Sequence, residues 1–476
     1  MLTRFFLLLL ILHSAYDCSS GQHILDSCGN GRDRQHTFDT HVFKENIPQL
    51  SSRTDLLRRS RVDNDYIHEI TFVIKQKNMD ILTDILHRVS NPLSDEYGQH
   101  LTREEINALT FNSEALHAVN FHLQSIGAFA ISESLGGEYI TAKAKIGLWE
   151  KIFQTEFFIF HQTHQNKFVE KLIRAEKYCI PRVLNSHIEG AFNVIDMPIK
   201  AFGSVPKPSR LLEVDTLTGD PSTYTQPGYI TPYKLKSYYN MSNSARGNKF
   251  STQGIFATND QYYSPNDITA FQRMFGLPIQ SVIKAVGDHG SDQKCIENVY
   301  NCVESNLDLE YIMAMSPLSP TSHLYTDDTF SDYLIYLANL SDPPKLLSIS
   351  YAGYEISFTQ LMLSTFNNEA IKLGSMGVTI LAASGDSGAT SLSTCEYAPL
   401  FPATNPYVTT VGATSVRYYF NDLVHYECIY FFSNIIVFYH VIFQVINVHF
   451  LFYISVQFRV LSLGILKWFV KRMRDL

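Results

Sequence analysis

The chain has 476 residues, 45% of them hydrophobic, and a formal net charge of −8 at pH 7. That length accommodates two or three domains, and the apolar fraction is that of a globular protein. The modest charge, with no dominant basic patch, excludes nucleic acid as the partner class.

Residues 1–20 have the pattern of a secretory signal: Arg4, then the apolar run Phe5 to Leu12, then small residues at Ser14, Ala15, Ser19 and Ser20. The run is too short to span a bilayer. Entry to the secretory pathway permits disulfides. Cleavage after Ser20 would leave Cys28, Cys179, Cys295, Cys302, Cys395 and Cys428. The Cys295/Cys302 spacing suits a small local loop, although spacing does not define connectivity and free thiols stay open. Asn240 and Asn339 each begin an Asn-x-Ser acceptor for glycosylation.

Residues 21–65 are polar and weakly periodic, the pattern of a flexible lead-in, with Arg53, Arg58, Arg59 and Arg61 near its end. Residues 66–200 have the alternation of one compact α+β unit. Ile67 to Ile74 alternates as a strand. Asp80 to Val89 has helical spacing, with Ile81, Ile85 and Leu86 expected on the buried face. Pro92 and Gly98 break that helix, and Thr102-Arg-Glu-Glu105 is a capping box that starts the next. Ser113 to Ile126 is a further helix; Tyr139 to Ala142 and Phe157 to His161 are strands. Residues 201–228 hold Pro206, Pro208, Pro221 and Pro227 with Gly203, Gly219 and Gly228, a composition that suits an exposed linker with a processing site.

From residue 229 a second pattern begins. Phe250 to Thr258 is a strand, and Ser264-Pro265 caps and opens a helix that ends at Gly276. Leu346 to Tyr351 is a strand, Phe358 to Leu373 a helix stopped by Gly374 and Gly377, and Val378 to Ala383 a second strand. Strand, helix and strand in this order define a βαβ unit of a parallel sheet, whose sites lie at the carboxyl ends of the strands. Ser384-Gly-Asp-Ser-Gly388 directly follows such an end.

Glu304 and Asp308 stand four apart in Cys302-Val-Glu-Ser-Asn-Leu-Asp-Leu-Glu-Tyr311. On a helix they share a face, with Leu307 and Tyr311 expected to anchor it to the sheet. Two neighbouring carboxylates repel when both ionise, so one pKa rises and the pair can hold a proton. A third segment, Phe401-Pro-Ala-Thr-Asn-Pro-Tyr-Val-Thr-Thr-Val-Gly412, turns on its prolines into a strand from Tyr407 to Val411.

Together these segments resemble the sedolisins, the serine-carboxyl peptidases, and within them the tripeptidyl-peptidase I branch. Ser90 to Thr102 is similar to a segment of their propeptide. The resemblance covers 66–416 and implies an α/β fold, with a ferredoxin-like α+β propeptide ahead of a subtilisin-like parallel-sheet peptidase domain truncated after 416. It implies the zymogen of an acid-acting serine-type peptidase, with peptide or protein substrates and its own propeptide as intramolecular inhibitor. Glu304 would be the general base for a serine nucleophile, Asp308 would orient it and share its proton, and Asp386 would donate a hydrogen bond to the tetrahedral intermediate. A carboxyl group donates only when protonated, which favours acidic pH. Ser387 resembles the nucleophile of trypsin-like enzymes, but the histidine and the many antiparallel strands of that fold are missing from the pattern.

The family's nucleophile lies in a Gly-Thr-Ser segment, and its calcium site follows near the end; neither pattern occurs in this chain. The chain is therefore expected to be inactive as written. The alternative is a non-catalytic pseudoenzyme or propeptide-type inhibitor. After Val416 the family pattern stops. Residues 428–458 lack Asp, Glu, Lys and Arg and precede Lys467, Lys471, Arg472 and Arg474, which suits either a membrane span or a tail outside the native coding sequence. The compartment expected is the secretory pathway, lysosomal or extracellular.

Overall fold

The computed structural model describes residues 40–48, 55–164, 167–198, 230–287, 289–326, 333, 336–337, 340–386, 398–418, 423–432 and 435–444. The signal segment, the linker 201–228, Asn339, Ser387 and residues 445–476 lie outside them.

In chain order the first half runs β1 (His41–Asn46), β2 (Leu56–Arg61), β3 (Ile67–Ile74), α1 (Met79–Ser90), α2 (Arg103–Thr110), α3 (Ser113–Ser125), β4 (Phe129–Glu133), β5 (Tyr139–Lys145), α4 (Ile146–Phe153), β6 (Phe157–His164), β7 (Lys167–Ala175), β8 (Lys177–Pro181) and β9 (Ile188–Phe192). Its central sheet has the order β4-β5-β3-β9, with every neighbour antiparallel. Helices follow the first and third of those strands in sequence, so both cover the sheet in the ferredoxin-like arrangement. Phe72, Trp149, Phe153 and Tyr178 form its aromatic centre, with ring centroids 5.7–6.0 Å apart. Strands β2-β6-β7 form a second sheet, and β1 pairs with β8.

Strands β1 and β2 fall inside the stretch expected to be a flexible lead-in. Arg58 and Arg61 are held there by Glu176 and Glu150, at 2.8 and 2.7 Å. The capping box at Thr102 forms as expected, with the Glu105 side chain accepting from the Thr102 amide. The face of α1 differs by one residue from expectation: Leu82, Leu86 and Val89 are buried, while Ile81 is 47% exposed.

The second half runs α5 (Pro232–Tyr238), β10 (Gln253–Ala257), α6 (Pro265–Met274), β11 (Lys284–Val286), α7 (Asp292–Glu297), α8 (Val303–Met315), β12 (Thr321–Tyr325), β13 (Leu346–Ile349), β14 (Gly353–Tyr354), α9 (Gln360–Ser375), β15 (Thr379–Ala383), β16 (Leu400–Phe401) and β17 (Thr409–Val411). Six of its strands form one sheet in the order β11-β12-β10-β13-β15-β17, and all pairings are parallel. This is the parallel α/β sheet expected from the alternation.

Helix α9 carries most of the join between the two halves. Leu361, Met362, Phe366 and Leu373 share a core with Val73, Leu82, Tyr139 and Phe192. Gly374 does not stop α9. It lies inside the helix, where a Cβ would stand 2.7 Å from Leu86 Cδ1, so its lack of side chain lets α1 approach. Gly377, at φ +78°, ends the helix in the left-handed conformation that glycine adopts without cost. Lys372 is fully buried between Glu138 and Glu369, at 2.9 and 3.0 Å.

Strands β18 (Thr414–Tyr418), β19 (Leu423–Phe432) and β20 (Ile435–Gln444) form a sheet of their own, with β18 and β19 antiparallel. Of the stretch 428–458 offered as a membrane span, residues 428–432 and 435–444 are strands. Their Val, Ile, Tyr and Phe suit a pleated surface better than a helix. Among the described residues no helix is long and apolar enough to cross a membrane.

Candidate active site

Helices that connect parallel strands run back across the sheet, so their N-termini return to the carboxyl edge of the strands. Glu304 and Asp308 lie in the first turns of α8, which leads into β12, and Asp386 lies three residues beyond β15. Ser350 directly follows β13. All four therefore sit at one edge of the sheet.

Several contacts hold the start of α8. The Cys295–Cys302 disulfide, with Cα atoms 5.5 Å apart, ties the residue before the helix to α7. The sequence had left this pairing open. Gln261 Oε1 accepts from the Glu304 amide at 3.1 Å, and Asn306 Oδ1 accepts from the Ser264 amide at 2.8 Å. The helix is anchored by Leu309 and Met313, which pack with Ile255, Tyr263 and Ile268. The expected anchors are corrected accordingly. Leu307 is 48% exposed, and Tyr311 faces sideways onto Phe271. Position i+4 from buried Ser305 selects the Leu309 stripe, which puts Glu304 and Asp308 at the margin of the buried face.

The electrostatics follow from that margin. Burial, with the Asp386 charge, raises the Glu304 carboxyl above its ordinary value. Burial and then the Glu304 charge push Asp308 up to about 7, against the opposing effect of the Ser350 hydrogen bond. Asp308 thus holds a proton through the acidic range. Asp386 is exposed at the end of its strand. Tyr351, buried beside the pair, is pushed upward by burial and by both carboxylates. Glu310, on another face of α8, is raised to about 8 by burial and by Asp267.

Ser350 was not singled out from the sequence. Its signal there is only a polar residue at the carboxyl end of a buried strand. Its Oγ donates to Asp308 Oδ1 at 2.8 Å. Calcium, implied by the resemblance, needs a shell of six to eight oxygens. Among the described residues no group of three or more His, Cys, Asp and Glu could hold a metal ion.

An α+β unit thus packs through α9 against a parallel-sheet unit whose carboxylates gather at one edge. Residues 54–196 match the family model of the pro-kumamolisin activation domain. The chain is 29% identical over 378 residues to tripeptidyl-peptidase 1 of Mus musculus, covering 75% of this chain and 63% of that protein. It is 28% identical over 400 residues to tripeptidyl-peptidase 1 of Homo sapiens, covering 79% and 67%. The chain thus spans about two thirds of the length of these relatives. In its activation domain and over most of its length it is similar to members of the sedolisin family.

Proposed function

We propose that this chain is the zymogen form of an acid-acting serine-type peptidase resembling tripeptidyl-peptidase 1, supplying its activation domain and its carboxylate machinery. Peptide or protein chains would be the substrates, and the activation domain the intramolecular inhibitor. The observation that supports this reading is the gathering of Glu304, Asp308 and Asp386 at one carboxyl edge of the sheet. Glu304 would take the hydroxyl proton of a serine, which requires it to be ionised. Asp308 would hold the neighbouring proton, which it keeps up to about pH 7. Asp386, when protonated, would donate to the oxyanion. The chemistry needs Glu304 ionised while Asp308 keeps its proton, which confines the working range to below about pH 7.

The chain contains no Gly-Thr-Ser segment, so we propose that it forms no acyl-enzyme by itself. The calcium requirement of the family would fall to segments absent from this sequence. The signal-like start and the acceptor at Asn240 support passage through the secretory pathway as a glycoprotein, to a lysosome or to the outside. A second reading, inhibition of a complete relative by the activation domain, is favoured by that domain's separate aromatic core.

The test has two arms. The secreted chain should release no peptide from a fluorogenic tripeptide amide at about pH 4. A chimera carrying the C-terminal part of the mouse relative in place of residues 417–476 should gain release that Glu304→Gln abolishes. A folded, secreted chimera without such release would overturn the peptidase reading. Release by the unmodified chain that depends on Glu304 would overturn its inactivity.

A further inference from the structure

The two oxygens of the Asp308 carboxyl are not equivalent. Oδ1 accepts from Ser350 Oγ at 2.8 Å. Oδ2 is buried and has no hydrogen-bond partner among the described residues. A carboxyl oxygen that already accepts a hydrogen bond takes the C=O character, and the proton goes to the other. We propose that Ser350 is a positioning residue for the carboxylate pair: by occupying Oδ1 it confines the proton of Asp308 to Oδ2 and fixes the direction in which that proton is offered.

Backbone geometry gives Ser350 this place. It is the first residue after β13, a strand paired on both sides, with β10 and β15. Asp308 sits in the second turn of a helix held by a disulfide at one end and by buried Leu309 and Met313 along its length. Neither partner can shift far, so a single short hydroxyl spans a fixed gap. The groups facing Asp308 are Glu304 from its own helix and Tyr351 from the segment after β13; Asp386, beyond β15, acts through Glu304. Burial and the Glu304 charge disfavour the ionised form of Asp308, and Ser350 supplies the opposing donor. The catalytic consequence rests on the peptidase reading above; the positioning itself does not.

The experiment is an infrared titration of the full chain labelled with 13C-carboxyl aspartate, with Asp308→Asn to assign the band. In the unaltered chain the protonated Asp308 band should persist into the neutral range. Ser350→Ala removes the donor that favours the charged form. The midpoint should rise by about one pH unit, and the C=O stretch should move to higher frequency as its hydrogen bond is lost. Ser350→Thr, which keeps the hydroxyl, should restore both. If Ser350→Ala does not fold, Ser350→Cys, a weak donor of similar size, should show the same two shifts in smaller degree. An unmoved midpoint in a folded Ala or Cys variant, or failure of Thr to restore it, overturns the proposal. In the chimera, Ser350→Ala should lower kcat with KM little changed and move the alkaline limb upward. An inactive chimera with the titration shifts intact would remove the peptidase reading and leave the positioning role standing. An active chimera indifferent to Ser350→Ala would remove the role and leave the reading.

Discussion

Lys372→Met tests the buried join between the activation domain and α9. Lys372 has 0% exposed side chain and bridges Glu138 of β5's leading edge and Glu369 of its own helix, at 2.9 and 3.0 Å. Tyr139 donates to Glu369 at 3.2 Å, and Glu369 Oε2 has no partner among the described residues. Methionine keeps the volume and removes the only cation of this group, leaving two carboxylates buried together. Breaking a buried pair in this way costs about 3–5 kcal/mol at neutral pH. For a unit of this size that corresponds to a melting point lower by roughly 10 °C. Burial alone would raise Glu138, but the Lys372 charge and hydrogen bond, with smaller contributions from its own backbone and Ser134, carry it below the ordinary 4.5. Its contribution is thus present above pH 4.5 and lost as pH falls through the lowered folded value. In Lys372→Met the same carboxyl, without its cation, is raised by burial, so that variant gains stability as pH falls. The gap between the two proteins should be widest near neutrality and close in acid. Thermal melting of the full chain across that range measures it. Restoration by the triple variant Glu138→Gln, Glu369→Gln, Lys372→Met would show that buried charge, not lost packing, causes the loss. Equal melting points at pH 7, or a gap independent of pH, would refute the reasoning.

Three further outcomes are expected. Thr102→Ala removes the capping box of α2 and should cost about 1 kcal/mol in urea unfolding; no loss would mean that the tertiary contacts of Arg103 hold the helix alone. Cys295→Ser opens the loop closed over a separation of 7 residues. The expected loss is about 2–3 kcal/mol, seen as a lower unfolding midpoint. Asn240 is exposed at a turn, so the secreted chain should lose mass on treatment with a peptide N-glycosidase, and Asn240→Gln should lose that portion of the shift.

The parallel sheet, the capping box at Thr102 and the meeting of Glu304 with Asp308 could be read from the sequence alone. These depend on local chemistry: a hydrophobic period, a side chain that reaches its own helix's amides, and the i,i+4 spacing that places two residues on one face. The tertiary structure decided the phase of burial. In α1 the period allows Ile81 or Leu82 to face inward, and in α8 Leu307 or Leu309. The approach of α9 selects Leu82, and the β10 side of the sheet selects Leu309. It also decided what small or polar residues are for. Gly374 reads as a helix stop until Leu86 arrives against it, Lys372 as a solvated helix charge until Glu138 covers it, and Ser350 as a strand end until Asp308 stands 2.8 Å away. Each partner comes from a segment far along the chain, and neither periodicity nor propensity carries information about contacts that only the closed fold brings together.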